Sequence, residues 1–488
     1  MTVNNRLLHP CLAVAFTLLA SATGLRAQAQ LDRNLVPSPG KSPTLSVPAW
    51  TKTKLKSGAE LVVVEKHDLP LVALTMSFIG GATSFEPADK LGVASLTAQM
   101  LSEGTSLRTA DGLADDQQLL GTSIQASIGT EVGVVGFTSL SDRFQPALAL
   151  LADMLLNSTF PDSSLERVRA RTLVGLAEAK EQPNVMASRA FAKLLYGDDH
   201  PYGRVATERT VSAITRGDVL AFHRAYFRPG RAVIVVAGDV DPNAVRAQLE
   251  AALTAWEAGG NRPTFAYPAV PARRERTIYL VDKPMAAQSV FAIGVPGPAR
   301  NTTDYYALQV MNNLLGGLFQ SRLNHDIREV KGYSYGVASS FAYGRGPGAF
   351  RAGGGIVSAK SDSALILFMH HLRGVQGELP FTDDELTQGK ESIFQSLPVR
   401  FSSVDGIVAT VSNIYTQDLP ETYYLDLPTK LGAVTRDDVV RVAKQYLDID
   451  HLNIVIVGDR ATIEGPLKAT GIAPIRVLDA DGSQRKAP

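Results

Sequence analysis

Two stretches of the sequence match each other without a gap at an offset of 220 residues. Ala213 to Asp239 reads AITRGDVLAFHRAYFRPGRAVIVVAGD, and Ala433 to Asp459 reads AVTRDDVVRVAKQYLDIDHLNIVIVGD. Both copies predict a threonine helix cap, an amphipathic helix that ends near a tyrosine, and a short apolar strand closed by Gly-Asp. The repeat indicates that the chain consists of two copies of one domain.

A second pair of segments supports the duplication, because FPDSSLE and FTDDEL lie at almost the same offset. Both predict helix starts with capping boxes, Ser163 with Glu166 and Thr382 with Glu385. Each half runs from strands through a helix, further strands and several helices to a final strand. This order predicts an α+β fold of two tandem homologous domains, each a mostly antiparallel sheet packed with helices, rather than a doubly wound parallel sheet.

Composition shifts divide the chain into segments. The prolines of Ala258 to Glu275 indicate a linker, and those of the early chain indicate an extended lead-in. The predicted segments are a signal peptide over 1–29, an extended segment over 30–48, an N-terminal domain over 49–257, a linker over 258–275, a C-terminal domain over 276–475 and a tail over 476–488.

The N-terminus predicts export to the bacterial periplasm. Arg6 precedes the apolar run CLAVAFTLLA, and Ala27-Gln28-Ala29 fits the small-residue rule for signal cleavage. A membrane anchor is the alternative, but the run is well short of the roughly 20 residues that span a bilayer. Cys11, the only cysteine, would leave with the signal, which excludes disulfides and cysteine-ligated metals. Lys+Arg and Asp+Glu balance at 48 each, so bulk charge does not favour nucleic acid as a partner.

Three motifs carry a family resemblance. They are GGATSFEPADKLGVASLTAQMLSEGT (Gly80 to Thr105), LYGDDHPYGR (Leu195 to Arg204) and LLGGLFQSRLNHDIREVKGYSYGVASSF (Leu314 to Phe341). The chain thereby resembles the pitrilysin/insulinase-type zinc peptidases, the inverzincins, across essentially its whole mature length. The resemblance implies a two-lobed clamshell that encloses a peptide chamber.

The resemblance also implies where zinc would be bound, and this chain departs from the pattern there. The family's His-x-x-Glu-His helix falls on Ser95, Ala98 and Gln99, and its third ligand, a glutamate, falls on Val174, Gly175 or Leu176. Neutral amides and hydroxyls are poor zinc ligands beside imidazole, and alanine cannot transfer a proton. We therefore expect no metal in this chain, although Glu178 and Glu181 lie nearby in sequence.

Similar peptidases carry an Arg and, seven residues later, a Tyr in the second half, which here are Arg328 and Tyr335. The resemblance implies that the pair holds peptide carbonyls and the oxyanion formed during cleavage. The alternative is a salt-bridged Arg and a half-buried strand Tyr. Ser334 lies in GYSYG, which matches a serine-hydrolase elbow, but the motif needs a strand before the serine and a helix after it, and the order here is reversed.

Other motifs predict structure rather than chemistry. His200 in GDDHPYGR indicates a turn with a structural histidine. The alternating run Gly121 to Leu140 predicts a hairpin whose first strand forms a sheet edge, which in this family receives the substrate as an added strand. Gly344 to Gly355 lacks a P-loop lysine and predicts a hairpin turn with a close backbone approach.

Taken together, these features predict one subunit of an exported, pitrilysin-like zinc metalloendopeptidase heterodimer. The chain would supply Arg328 and Tyr335, and a homologous companion subunit would supply zinc and its His-x-x-Glu-His motif. The substrate would be a peptide or an unfolded segment. Two alternatives remain, a non-catalytic peptide-binding or assembly pseudopeptidase and an independent hydrolase with another site. The isolated chain is expected to be inactive.

Overall fold

The structure is a computed structural model that describes residues 44–272, 275–479 and 482. The predicted signal peptide over 1–29, most of the predicted extended segment over 30–48 and part of the predicted linker and tail lie outside these residues. From Leu45 onward the chain forms one compact unit.

The N-terminal sheet has six strands. They are β1 (Thr51–Lys54), β2 (Glu60–Glu65), β3 (Leu71–Ile79), β4 (Gln125–Ile128), β5 (Val132–Leu140) and β6 (Ala232–Gly238). Their order is β1-β2-β6-β3-β5-β4. Strands β2 and β6 are parallel, and the other neighbours are antiparallel. Strand β4 lies at the edge, as the alternating run predicts.

The C-terminal sheet repeats this arrangement. Its strands are β7 (Thr277–Asp282), β8 (Gln288–Pro296), β9 (Ser334–Ala342), β10 (Ala349–Val357), β11 (Asn453–Gly458) and β12 (Ile475–Leu478), in the order β12-β7-β11-β8-β10-β9. Strands β7 and β11 are parallel, as β2 and β6 are, but the outer strand β12 is parallel to β7, whereas β1 is antiparallel to β2. The predicted α+β fold with two homologous halves is therefore confirmed.

Helices cover both sheets. Those of the N-terminal half are α1 (Ala82–Phe85), α2 (Val93–Met100), α3 (Ala110–Leu120), α4 (Phe144–Leu156), α5 (Asp162–Ala179), α6 (Pro183–Tyr196), α7 (Glu208–Ser212), α8 (Arg216–Tyr226) and α9 (Pro242–Ala252). Those of the C-terminal half are α10 (Tyr305–Asn312), α11 (Arg322–Asn324), α12 (Ser361–Arg373), α13 (Asp383–Ser396), α14 (Val404–Thr416), α15 (Tyr423–Gly432), α16 (Arg436–Tyr446) and α17 (Arg460–Ala469). Segments Asn313–Gly317, His325–Val330 and Gly374–Glu378 are π-helical. Among the described residues, no helix is long and apolar enough to cross a bilayer.

The helix caps of the repeat agree with the sequence except at one position. Thr215 and Thr435 each accept a hydrogen bond from the backbone three residues on and form capping boxes that start α8 and α16. Thr382 forms the predicted box with Glu385. The box predicted for Ser163 is wrong, because α5 begins one residue earlier, after Pro161, and has no side-chain cap.

The two halves exchange helices. Helix α6 of the first half packs on β8 and β11 of the second sheet, where Met186 and Phe191 are buried against Val455. Helix α14 of the second half packs on β3 and β6 of the first sheet. Its Val408 and Val411 belong to the same buried cluster as Val235. Each sheet therefore has one face covered by the other half of the chain.

Both ends of the described chain contribute to the C-terminal half. Leu45 and Val47 pack on a buried cluster to which both halves contribute, and Nε1 of Trp50 donates a hydrogen bond to Oη of Tyr415 in α14 at 3.0 Å. Residues 476–478 pair with β7 as part of β12, whereas the sequence places them in a tail. The predicted tail therefore begins too early.

Of the hairpin turn predicted over Gly344 to Gly355, only residues 344–348 lie in the connection between β9 and β10, and residues 349–355 belong to strand β10. The predicted close backbone approach is present within the strand. Gly354 in β10 adopts a left-handed backbone with φ of 158° beside a β-bulge. A Cβ atom there would lie 2.5 Å from the carbonyl oxygen of Gly336, so the close approach of the two strands requires glycine.

Candidate functional site

Helix α2 holds the first of the predicted site residues, and a half-buried carboxylate fixes its start. Oε1 of Glu86 accepts hydrogen bonds from the backbone N–H groups of Gly92 at 2.9 Å and Ala94 at 2.8 Å. A carboxylate at a helix N-terminus satisfies free N–H groups and complements the helix dipole. Burial nevertheless raises the pKa of Glu86 against the lowering effect of these bonds. The apolar face of α2 is buried, which orients the opposite face outward.

The outward face carries Ser95 and Gln99. Both are exposed, and they lie one helical turn apart, with Nε2 of Gln99 3.2 Å from Oγ of Ser95. Ala98 is 4% exposed and offers only a methyl group. The structure thus brings Ser95 and Gln99 together on one face of α2, but their side chains have no imidazole or carboxylate to bind a metal.

A cavity of about 780 Å³ lies between α2, α5 and the edge strand β4. Its lining includes Ala98 and Gln99 from α2, together with Gly175 and Leu176 from α5. Val174 is 58% exposed and does not line the cavity. Of the three candidate positions for the family's third zinc ligand, only Gly175 and Leu176 therefore face the cavity. Ser95 lies outside the lining but next to Gln99.

Zinc does not fit the residues at this place. The cavity lining contains no His, Cys, Asp or Glu. Glu178 and Glu181 do not reach it, and Glu181 instead forms an ion pair with Lys283, which lowers the pKa of Glu181. Within the described ranges, no group of three or more His, Cys, Asp or Glu side chains is placed to hold a metal ion.

Arg328 and Tyr335 lie in the C-terminal half, away from this lining. Arg328 is in the π-helical segment His325–Val330, with its guanidinium 4.5 Å from the ring centre of Phe319 and its Nε 3.2 Å from a carboxylate oxygen of Glu329. Tyr335 is the second residue of β9, and it is 86% exposed. The salt bridge expected of a structural Arg is present, whereas the Tyr is not half-buried. No described hydrogen bond joins the two side chains.

Two other candidates have structural roles. Oγ of Ser334 is buried, donates to the carbonyl of Gly355 at 2.6 Å and accepts from the N–H of Gly336 at 2.9 Å. It therefore joins β9 to β10 beside the β-bulge, and its described hydrogen bonds are all to backbone groups. His200 is buried among tyrosine rings, and its Nδ1 accepts from the N–H of Tyr202 at 3.1 Å. The structural role predicted for His200 is confirmed.

A second cavity, of about 910 Å³, was not predictable from motifs. It lies between β3, β5 and the exchanged helix α14, and it shares Gln117, Ser123 and Gln125 with the first cavity. Ser412 on α14 lines it, is 7% exposed and has a hydroxyl without a hydrogen-bond partner. No sequence motif indicates this cavity, because the helix and the sheet that form it come from different halves of the chain.

Comparison with known proteins places these features in a family. The model of the insulinase family, peptidase family M16, matches residues 61–200, and the model described as the peptidase M16 inactive domain matches residues 213–393. The chain belongs to the M16 peptidase family. The first matched range holds α2, α5 and the cavity between them, and the second holds Arg328 and Tyr335.

Relatives of this M16 chain include proteins named as proteases and one named otherwise. An uncharacterized zinc protease of Mycobacterium leprae is 30% identical over 59% of this chain and 65% of its own length, slightly under two thirds. A non-peptidase homologue of Helicobacter pylori is 22% identical over 82% of this chain and 92% of its own. The crystal structure of a peptidase M16 inactive domain from Pseudomonas fluorescens has 28% identity and a TM-score of 0.76, covering 84% of this chain and 98% of that one.

Proposed function

We propose that this chain is the metal-free subunit of an exported M16 metalloendopeptidase and that a homologous companion subunit holds the zinc. The observation that carries the proposal is the open cavity at the family's ligand positions, whose lining has no zinc ligand. A subunit that keeps this cavity but lacks the zinc ligands is suited to form a complex with a homologous subunit that binds zinc. The peptide to be cleaved would enter as an extended strand beside an edge such as β4.

The residues that this chain would contribute are Tyr335 and Arg328. A phenol is a neutral hydrogen-bond donor, and one aimed at the developing oxyanion stabilises the transition state more than the ground state. A guanidinium offers several N–H donors in a fixed plane and suits the carbonyl oxygens of an extended peptide. The high exposure of Tyr335 supports this assignment, because its hydroxyl is free to meet a ligand from another chain.

The test is turnover by the reconstituted pair. This chain is mixed with an M16 chain of the same genome that carries His-x-x-Glu-His, and cleavage of a quenched peptide is followed. We expect Tyr335→Phe to lower kcat by about 100- to 1,000-fold, the loss typical of one oxyanion donor. Tyr333→Phe is the matched control. It removes a tyrosine hydroxyl two residues before Tyr335 and should leave kcat unchanged. Equal turnover of Tyr335→Phe and wild type would refute the catalytic role.

The second candidate is a pseudopeptidase that binds or assembles peptides without taking part in cleavage. The Helicobacter pylori relative named as a non-peptidase homologue favours it. In that case the companion cleaves equally well with or without this chain. Export is tested separately, by finding the chain in the periplasmic fraction with a new N-terminus after Ala29.

A further inference from the structure

Arg171 gives the cavity beside α2 a positive charge. It is the one formally charged residue among the described residues that line this cavity. The other polar lining residues are neutral amides and hydroxyls, namely Gln99, Ser102, Gln117, Ser123, Gln125 and Thr172. A cation in a partly enclosed site attracts an anionic group more strongly than a cation on an open surface does.

The charge of Arg171 is not cancelled by its neighbour. Glu103, which is 9% exposed, forms ion pairs with Arg167 and with Arg171. The contact to Arg171 is the longer of the two, at 3.4 Å, and the Arg171 side chain remains 62% exposed. One carboxylate shared between two guanidinium groups leaves a net charge of +1. Arg171 therefore keeps free N–H donors for a ligand.

Arg171 also lies on the same face of α5 as Gly175, one of the positions on which the family's third ligand falls. Residues 171 and 175 are one helical turn apart, so they face the same cavity. Gly175 has no side chain, and a Cβ atom built there meets no other atom within 4 Å. At Gly175, one of the positions where the family pattern puts a carboxylate ligand, this chain has open space and a cation one turn away.

We infer that this cavity binds a carboxylate of an extended peptide through Arg171. A guanidinium pairs with a carboxylate through two parallel N–H donors, which gives the contact direction as well as strength. The volume of the cavity lies within the range of ordinary ligand sites. The adjoining cavity continues from Gln125 toward Ser412 and offers hydroxyl and amide groups to the uncharged remainder of the peptide. This binding belongs to the chain alone and goes beyond the role proposed for it in the complex.

The experiment uses the purified full chain and four fluorescent peptides of one neutral sequence. The peptides contain either an internal Glu or a Gln, and each has either a free or an amidated C-terminus. We expect a carboxylate to raise affinity by about 2- to 5-fold, as for a partly exposed ion pair, and the gain to shrink at high salt. A gain confined to the free C-terminus identifies a terminal carboxylate, and a gain with Glu identifies a side chain. Absence of binding, or equal affinity for all four peptides, overturns the inference.

Variants at Gly175 provide matched controls. Gly175→Glu places a carboxylate beside Arg171 and should abolish the preference for anionic peptides. Gly175→Gln has the same size without the charge and should keep the preference. Arg171→Gln should abolish it as well, and the Gly175 pair decides the question if that variant does not fold. Equal preference in Gly175→Glu and Gly175→Gln would contradict the inference.

This test is independent of turnover. It needs no companion subunit, and Tyr335→Phe should bind all four peptides as the wild type does. A failure of the peptide assay therefore leaves the proposed subunit role standing, and a failure of the turnover assay leaves the carboxylate site standing.

Discussion

Nε2 of Gln99 donates a hydrogen bond to Oγ of Ser95 across one turn of helix α2, over a distance of 3.2 Å. Side chains that meet at this spacing are placed as two ligands of one metal ion would be. Ser95 and Gln99 are exposed, so larger side chains would have room to point outward. The lack of a metal site in this helix is therefore a matter of residue type and not of backbone geometry.

This geometry predicts that zinc binding can be restored. The variant Ser95→His, Gln99→His, Gly175→Glu supplies two imidazoles on α2 and a carboxylate on α5 across the same cavity. Because zinc affinity rises steeply with the number of correctly placed ligands, we expect about one zinc ion per chain after dialysis. Elemental analysis of the purified protein measures it. The wild type should retain none.

The double variant Ser95→His, Gln99→His is the control for this experiment, since it lacks the third ligand and should lose zinc on dialysis. Zinc loss from the triple variant as well would show that α2 and α5 are too far apart for a shared ion.

Two glycines should respond in opposite ways to the same substitution. Gly175 lies inside α5 with no atom within 4 Å of a built Cβ, so Gly175→Ala should raise the free energy of unfolding by about 1 kcal/mol through helix propensity. A Cβ on Gly133 in β5 would lie 2.4 Å from Oη of the buried Tyr226. Gly133→Ala should therefore cost about 1 to 3 kcal/mol by overpacking. Urea unfolding of both variants checks the signs, and two changes of the same sign would contradict the packing described here.

Glu131 should couple segments that are far apart in sequence. Its carboxylate accepts hydrogen bonds from Oη of Tyr267 at 2.6 Å, from Oη of Tyr202, and from the N–H of Arg345 at 3.0 Å. Burial and the bond to Glu131 raise the pKa of Tyr202 to about 12, so this phenol stays a donor at neutral pH. Glu131→Gln weakens three acceptor contacts and should lower the free energy of unfolding by about 1 to 3 kcal/mol.

A double-mutant cycle with Tyr267→Phe checks the assignment of this effect. The two changes should be less than additive, because each removes the same hydrogen bond. Additive effects would show that Glu131 and Tyr267 act separately.

Features encoded by local patterns could be predicted from the sequence. Strand β4 lies at the sheet edge, as the alternation around it predicts. The offset between Ser95 and Gln99 is also local, because it depends only on the period of a helix. The capping box predicted at Ser163 was wrong because Pro161 is the N-cap residue. Ser163 therefore lies inside the first turn of the helix and cannot cap it.

Features that depend on contacts between distant segments could not be predicted. Arg171 resembles any helical arginine until α5 is placed against α2, and only then does its charge enter the cavity. Glu131 likewise gains its role from Tyr202, Tyr267 and Arg345, which no spacing rule connects. The exposure of Tyr335 agrees with a side chain that can reach a ligand and speaks against the alternative of a half-buried strand tyrosine.

Because α6 and α14 each cover the sheet of the other half, neither half of the chain contains all of the helices that shield its own sheet from water. A protease cut in the linker would leave two interlocked fragments rather than two free domains. Either fragment made alone would present a bare apolar sheet and would be prone to aggregate. The two homologous halves can therefore be distinguished in the sequence, but they have to fold together as one unit.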